Sequence, residues 1–189
     1  TNEPVVVTAI NTPIPAPAED PAPSKMSFVH RAFLNQYTGT GCGYCPAMVH
    51  ILRQVFADEQ LKDKSVLAAV HSYNENDPAY IANPKVGSYP YLQIDMAYGF
   101  DTTKDVNTLK ELISERTASP AVVGISANPV ISGNMIIVTV EVKVAQDGEY
   151  ALGTWLLQDD IFGRQKNETS VVYDDLDYHN NCLRVADSK

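Results

Sequence analysis

An α/β domain with a mixed central sheet flanked by helices, followed by an antiparallel β region, is the fold class that the sequence predicts. Three observations carry this. Two thiols, Cys42 and Cys45, stand between a strand-like apolar run and a strongly amphipathic helical pattern. Ser65–His71 is a continuous apolar run of the kind that fills a strand buried on both faces. From Ala121 onward the hydrophobic period changes from helical to two. The resulting division is an extended leader over 1–24, an α/β domain over 25–119 and an antiparallel β-domain over 120–189.

The leader opens with Val5-Val6-Val7, a candidate short strand, and continues from Thr12 to Pro23 with alternating prolines. Prolines remove backbone donors and favour an extended chain, so this stretch reads as a stiff spacer or as a leader without a fold of its own. Phe28–Tyr37 is apolar and sharply bounded by Thr38-Gly39, the signature of a buried strand. After Cys45, residues Met48, Ile51, Leu52, Val55 and Phe56 fall at i, i+3, i+4, i+7 and i+8, the stripe of a helix packed on a sheet. Pro46 sits in the first turn, where its missing N–H costs little. Ser65–His71 then follows as a strand parallel to the first, through a helical crossover.

Asn74–Val86 is polar and rich in turn residues, and reads as an insertion. It leads into Gly87–Asp95, a tight turn feeding a strand, and Met96–Phe100 is a candidate fourth strand. Val106, Leu109, Leu112, Ile113 and Arg116 place one face on a second helix, capped by Thr103 or Asp105 and ended by Ser119-Pro120. Beyond it, Ile136, Val138, Val140, Val142 and Val144 alternate with Ile137, Thr139, Glu141 and Lys143, the pattern of a strand with one wet face. Turns at Ser132–Asn134 and Gln146–Glu149 flank it, Tyr150–Leu157 supplies the next strand of a meander, and Val171–Tyr173 is a candidate for one more. Three long strands cannot bury both faces of a sheet, so a sandwich here needs further strands or a partner.

The formal charge of −9 argues against nucleic-acid backbones and anionic lipid as partners, and Lys and Arg form no cluster. No apolar run approaches the length that spans a bilayer. Three cysteines are too few for a disulfide scaffold, so the Cys42-x-x-Cys45 pair reads as redox or metal chemistry. A helix N-terminus presents unpaired N–H groups and the positive end of its dipole, which favour a thiolate. A cysteine placed there titrates at roughly 3.5–7.5 instead of about 8.5, which makes Cys42 the attacking thiol and Cys45, one turn on, the resolving one. The bland alternatives are a structural disulfide or half of a zinc site.

The run Tyr37-Thr38-Gly39-Thr40-Gly41-Cys42-Gly43-Tyr44-Cys45-Pro46 resembles the active-site segment of thioredoxin-like proteins. Its Thr38-Gly39-Thr40 resembles the outer-membrane lipoproteins of Bacteroidetes, in which a thioredoxin-like domain precedes a β-domain of immunoglobulin-like sandwich type. The first resemblance covers Phe28–Thr117 and the second extends loosely to Arg184. It implies catalytic roles for Cys42, Cys45 and a cis Pro90 lying against the disulfide, and substrate contacts from Gly43, Tyr44 and Tyr89. It also implies an extracytoplasmic location at the outer membrane, cell surface or periplasm, with a signal peptide and lipid-bearing cysteine upstream of Thr1 as the sole membrane tether. The partners expected are protein thiols or disulfides and an unidentified reductant, with no cofactor and no metal.

Two positions depart from the family pattern. Gly41 stands where relatives carry Trp, and Gln36 stands where many carry the buried carboxylate that relays protons to the resolving thiol. A carboxamide does not accept a proton at useful pH, so the resemblance implies a low-efficiency thiol-disulfide oxidoreductase or isomerase. Against it stands a non-enzymatic, adhesin-like surface module with the thioredoxin-like domain as scaffold. His179 and Cys182 have zinc-ligand spacing and with Cys42 and Cys45 make a formal Cys3His set, but the halves belong to differently patterned regions. Cys182 is expected to be unpaired. His50 and His71 read as hydrogen-bonded packing residues, and Asp174, Asp175 and Asp177 as a solvated acidic loop.

Overall fold

A computed structural model describes residues 14–17, 19–82 and 86–188. The candidate strand Val5–Val7 and the leader through Pro13 lie outside the described residues. In chain order the elements are β1 (Ala32–Thr38), α1 (Cys45–Phe56), β2 (Ser65–His71), β3 (Tyr91–Ile94), β4 (Tyr98–Phe100), α2 (Val106–Arg116), β5 (Val123–Ser132), β6 (Met135–Val144), β7 (Gly153–Gln158), β8 (Ile161–Phe162), β9 (Tyr178–His179) and β10 (Cys182–Ser188). They form two compact units, the described parts of Thr1–Val29 with Pro120–Gly148, and of His30–Ser119 with Glu149–Lys189.

The larger unit holds a six-stranded mixed sheet in the order β4-β3-β1-β2-β10-β7. β1 and β2 are parallel in the register Ala32↔Ser65 to Thr38↔His71, as the crossover through α1 requires. β3 lies antiparallel on the other side of β1. Because side chains alternate across a strand, Ala32 and Leu34 share one face with Leu92 and Ile94, and α1 and α2 cover that face with Met48, Leu52, Val55, Leu109 and Ile113. Each such side chain contributes about 1.5–3 kcal/mol on full burial. The opposite face buries Tyr37, Val70 and Leu183, with Trp155 packed beside them and standing edge-on to Phe33 at 4.9 Å. Asp105 caps α2 by accepting the Asn107 N–H at 2.8 Å, as its spacing suggested.

Three expectations are corrected. Phe28 does not open β1; it bridges Ala121 in the smaller unit, and the strand begins at Ala32. Tyr150–Leu157 does not continue a meander, because β7 pairs antiparallel with β10, which itself lies parallel to β2, so both belong to the six-stranded sheet. Alternation within a strand specifies its two faces but not which sheet receives it. Val171–Tyr173 forms no strand.

In the smaller unit β5 and β6 pair along their full length, Val123↔Val144 to Ser132↔Met135. The wet face is the reverse of the one expected. Ile136, Val138, Val142 and Val144 are exposed, whereas the polar face meets the proline-rich stretch. Carbonyls there have no strand partner, and polar side chains of the hairpin serve them: Thr139 Oγ1 donates to Pro15 O at 2.6 Å and Asn128 Nδ2 to Ala16 O at 2.7 Å. Lys143 Nζ reaches Asp20 Oδ2 at 2.8 Å and the Ala22 and Pro23 carbonyls. The expected stiff spacer thus lies along a hairpin.

The two-residue turn Gly133-Asn134 has positive φ at Gly133 alone, at 61°, the II′ pattern that demands glycine first. A Cβ at Gly133 would meet nothing within 4 Å, so substitution there is felt through the backbone alone. Gly133→Ala is expected to cost about 1 kcal/mol in urea unfolding; an unchanged midpoint would contradict the turn assignment.

Candidate functional site

Cys42 and Cys45 form a disulfide, with sulfurs 2.01 Å apart and Cα atoms 5.4 Å apart. Cys45 is the first residue of α1 and Pro46 the second, while Cys42 lies in the turn ahead of the helix instead of within its first turn. That turn is built from backbone: Cys42 N–H donates to Gly39 O at 3.0 Å and Cys45 N–H to Cys42 O at 3.2 Å. Both cysteines are buried, Cys42 at 3% exposure and Cys45 at 0%. Tyr44, between them, is 60% exposed. The Tyr89–Pro90 bond is cis, as the resemblance implied, and Pro90 is buried.

The segment 163–168, which sequence reasoning left without a role, roofs this loop. Lys166 N–H donates to Thr40 O and Glu168 N–H to Gly43 O, both at 2.8 Å. Gln165 Nε2 donates to Cys42 O at 2.9 Å and lies within 3.4 Å of the Thr40 and Gly39 carbonyls. The Glu168 side chain lies over Gly43, its carboxyl carbon 2.7 Å from where a Cβ would be, and being partly exposed it can swing aside. Farther along, Tyr173 and Asp175 fasten the segment to α1: His50 Nδ1 lies 2.6 Å from the Tyr173 hydroxyl, and Arg53 donates to Asp175 at 2.7 Å while stacking on the Tyr173 ring. The acidic loop is therefore partly paired, with Asp177 Oδ1 accepting the Gln165 N–H.

From below, the loop hangs on Asp77. Its Oδ2 accepts the Thr40 N–H at 2.6 Å and faces His71 Nδ1 at 2.8 Å, and its Oδ1 accepts the Ala79 N–H at 2.8 Å. Asn74 Oδ1 takes the neighbouring Gly41 N–H at 3.0 Å. Burial pushes the Asp77 carboxyl up, but the hydrogen bond and charge of His71 and the two backbone donors outweigh it and bring it down to about 2. Both Asn74 and Asp77 come from the stretch that reads in sequence as a polar insertion; Asp77 six residues past His71 was the available signal.

Gly41 leaves little room: a Cβ there would stand 3.0 Å from Asn74 Oδ1 and 3.4 Å from the Tyr73 ring. Tyr73 stacks edge-on against Tyr89, whose hydroxyl bonds Ser72 Oγ at 2.8 Å, so Tyr89 reaches the cysteine loop through another aromatic ring. Cys182 is free, as expected, and buried, with Sγ 3.7 Å from His71 Nε2. The order Cys182, His71, Asp77 resembles a nucleophile, base and orienting acid, yet burial pushes the thiol up to about 12, which denies it a thiolate near neutrality. His179 packs edge-on to His71 at 4.9 Å and bonds Gly163 O at 2.9 Å. The formal Cys3His set is not assembled, and among the described residues no three His, Cys, Asp or Glu side chains converge on a metal position.

No family model matches the sequence, and no curated protein is similar to it in sequence. Among solved structures, HBP35 of Porphyromonas gingivalis is similar over 86% of this chain and 58% of its own, with a TM-score of 0.68 at 15% identity. The likeness is one of fold. Protein AGR_C_4864 of Agrobacterium tumefaciens is similar over 85% of this chain and 72% of its own, with a TM-score of 0.54 at 12% identity. The match thus spans less than two thirds of the length of HBP35.

The Asp77 shift has a consequence for acid stability. A carboxyl at about 2 in the folded chain and near 3.8 unfolded stabilises the fold above pH ~4, and that contribution is lost as pH falls from about 4 towards 2. Urea unfolding should therefore weaken by about 2 kcal/mol across that window. Asp77→Asn should be less stable at pH 7 by at least that amount and show a shallower acid limb. An identical acid limb in the variant would contradict the assignment.

Proposed function

We propose that the chain is an extracytoplasmic thioredoxin-like protein that exchanges disulfides with client proteins through Cys42 and Cys45. The observation that supports this most is the Cys42–Cys45 disulfide at the start of α1, directly after a central strand in a parallel pair. In the reducing direction the Cys42 thiolate attacks one sulfur of a client disulfide, and the other sulfur leaves as a thiolate. Cys45 then attacks the Cys42 sulfur of the mixed disulfide, releasing the second client thiolate and closing the Cys42–Cys45 bond. A client dithiol drives the reverse, and an external thiol of unidentified source returns the pair to the reduced form. Tyr89 and Pro90 present backbone to the client in this reading, with Gly43 and Tyr44 bordering the site.

An oxidising compartment fits a standing disulfide, and among the described residues no helix is long and apolar enough to cross a membrane. The resemblance to Bacteroidetes surface lipoproteins and the fold shared with a Porphyromonas protein support a place at the outer membrane or cell surface, tethered by lipid. The burial of both cysteines favours a second reading, in which the disulfide is structural and the chain is an adhesin-like surface module.

Alkylation of the reduced protein against pH, with turnover of a disulfide-linked peptide in glutathione buffer, separates the two. The exchange reading expects Cys42 to titrate below the roughly 8.5 of free cysteine, and Cys42→Ser to abolish turnover. Gln36→Glu should accelerate the resolving step, by up to the ~10²–10⁴-fold that general-base assistance supplies. A thiol near 8.5 and no turnover in either protein would leave the disulfide a structural one.

A further inference from the structure

One face of the β5–β6 hairpin is aliphatic and open to solvent. Directly opposed residues of an antiparallel pair point to the same side, and every second pair from Val123↔Val144 to Ile131↔Ile136 joins two apolar side chains. No polar or charged group interrupts these five pairs. Exposure reaches 62% at Ile125 and 78% at Ile131, and Ile136, Val138 and Val142 are exposed as well. Glu141 and Lys143 belong to the opposite face, where the proline-rich stretch lies, so that stretch does not serve the aliphatic side. A two-stranded hairpin is marginal by itself, and a sheet with an apolar face needs a second layer against it.

We propose that two copies of this chain associate through this face, hairpin on hairpin about a two-fold axis, as a four-stranded sandwich. The face is self-complementary. β5 and β6 offer the same aliphatic chemistry at each step of the register, so a second copy turned about a two-fold axis meets its like along the whole length. The chain carries a formal charge of −9 but places none of it here, so like copies meet without burying a charge. Ten residues per strand make a face about 34 Å long and, with its side chains, on the order of 15 Å wide. Two copies would then bury roughly 1,000 Å² together, the lower end for a specific association. Valine and isoleucine are stiff at χ1 and lose little freedom on contact. Pairing at the strand edge is the poorer route. The two-residue turn makes Ser132↔Met135 a hydrogen-bonded pair, and the alternation that follows turns the Pro129 nitrogen to the outer edge of β5, where it offers no donor.

Sedimentation velocity of the oxidised chain from about 5 to 500 µM tests this. A shift from one copy to two is expected, with a micromolar Kd suited to so small an interface, and no weakening between about 0.1 and 1 M NaCl, since no ion pair holds it. Ile125→Lys and Val138→Glu should each weaken the association at least about tenfold, because each buries an unpaired charge. Val172→Glu, at a side chain of the larger unit that is 84% exposed, should leave it unchanged. Isotope-filtered NOEs between labelled and unlabelled wild-type copies locate the contact even where a variant fails to fold, and are expected among the valine and isoleucine methyls of residues 123–144. A single copy at the highest concentration would overturn the proposal, as would growth beyond two copies or dissociation by salt. So would intermolecular NOEs elsewhere, contacts to those methyls from within one chain only, or an indifferent Ile125→Lys.

Discussion

The arrangement of the larger unit depends on one buried carboxylate. Asp77 has its side chain wholly out of solvent, and three donors from separate stretches of chain converge on it: the Thr40 N–H, the Ala79 N–H and His71 Nδ1. A charge so placed is tolerable only while every partner stays in position, because removing one leaves a desolvated ion. That requirement fixes the cysteine turn relative to the end of β2, and through His71 it sets the surroundings of Cys182 at the start of β10. A loop able to hold a three-residue disulfide at a helix start is thereby pinned from below.

It is closed from above by a segment whose contacts are mostly backbone. Lys166 and Glu168 offer N–H groups to the Thr40 and Gly43 carbonyls, and the Gln165 amide reaches the Cys42 carbonyl. Both cysteines are buried beneath the turn's surface. Cover of this kind shields a disulfide from adventitious thiols. The pair with Arg53 and the stacking on Tyr173 hold the far end down, and both are partly exposed and individually weak.

Much of this was legible in the sequence wherever the signal was local. The cysteine spacing, the stripe of α1 and the apolar run of β2 each depend on neighbouring residues and their periodicity, whereas the cis Tyr89–Pro90 bond was legible only through the family resemblance. What was not legible depended on partners distant in sequence. Nothing in Tyr150–Leu157 distinguishes the third strand of a meander from an outer strand beside β10, and the alternation of β6 does not say that proline-rich carbonyls will seek its polar face. Val171–Tyr173 has β-favouring side chains but finds no ladder, and its Tyr173 serves as a plate for Arg53 instead. Asp77 and Asn74 were hidden in a stretch whose polarity resembles that of any surface loop, although their role is to satisfy buried N–H groups.

The enclosure of the cysteine turn from both sides is tested most directly by amide hydrogen exchange in the oxidised protein at Thr40, Lys166 and Glu168. Slow exchange is expected at all three, with Thr40, bonded to a buried carboxylate, protected close to the level of the β1 and β2 core, and Lys166 and Glu168 opening more readily as one unit. Exchange of Thr40 at the rate of an unstructured peptide, or of Lys166 and Glu168 without any protection, would contradict it.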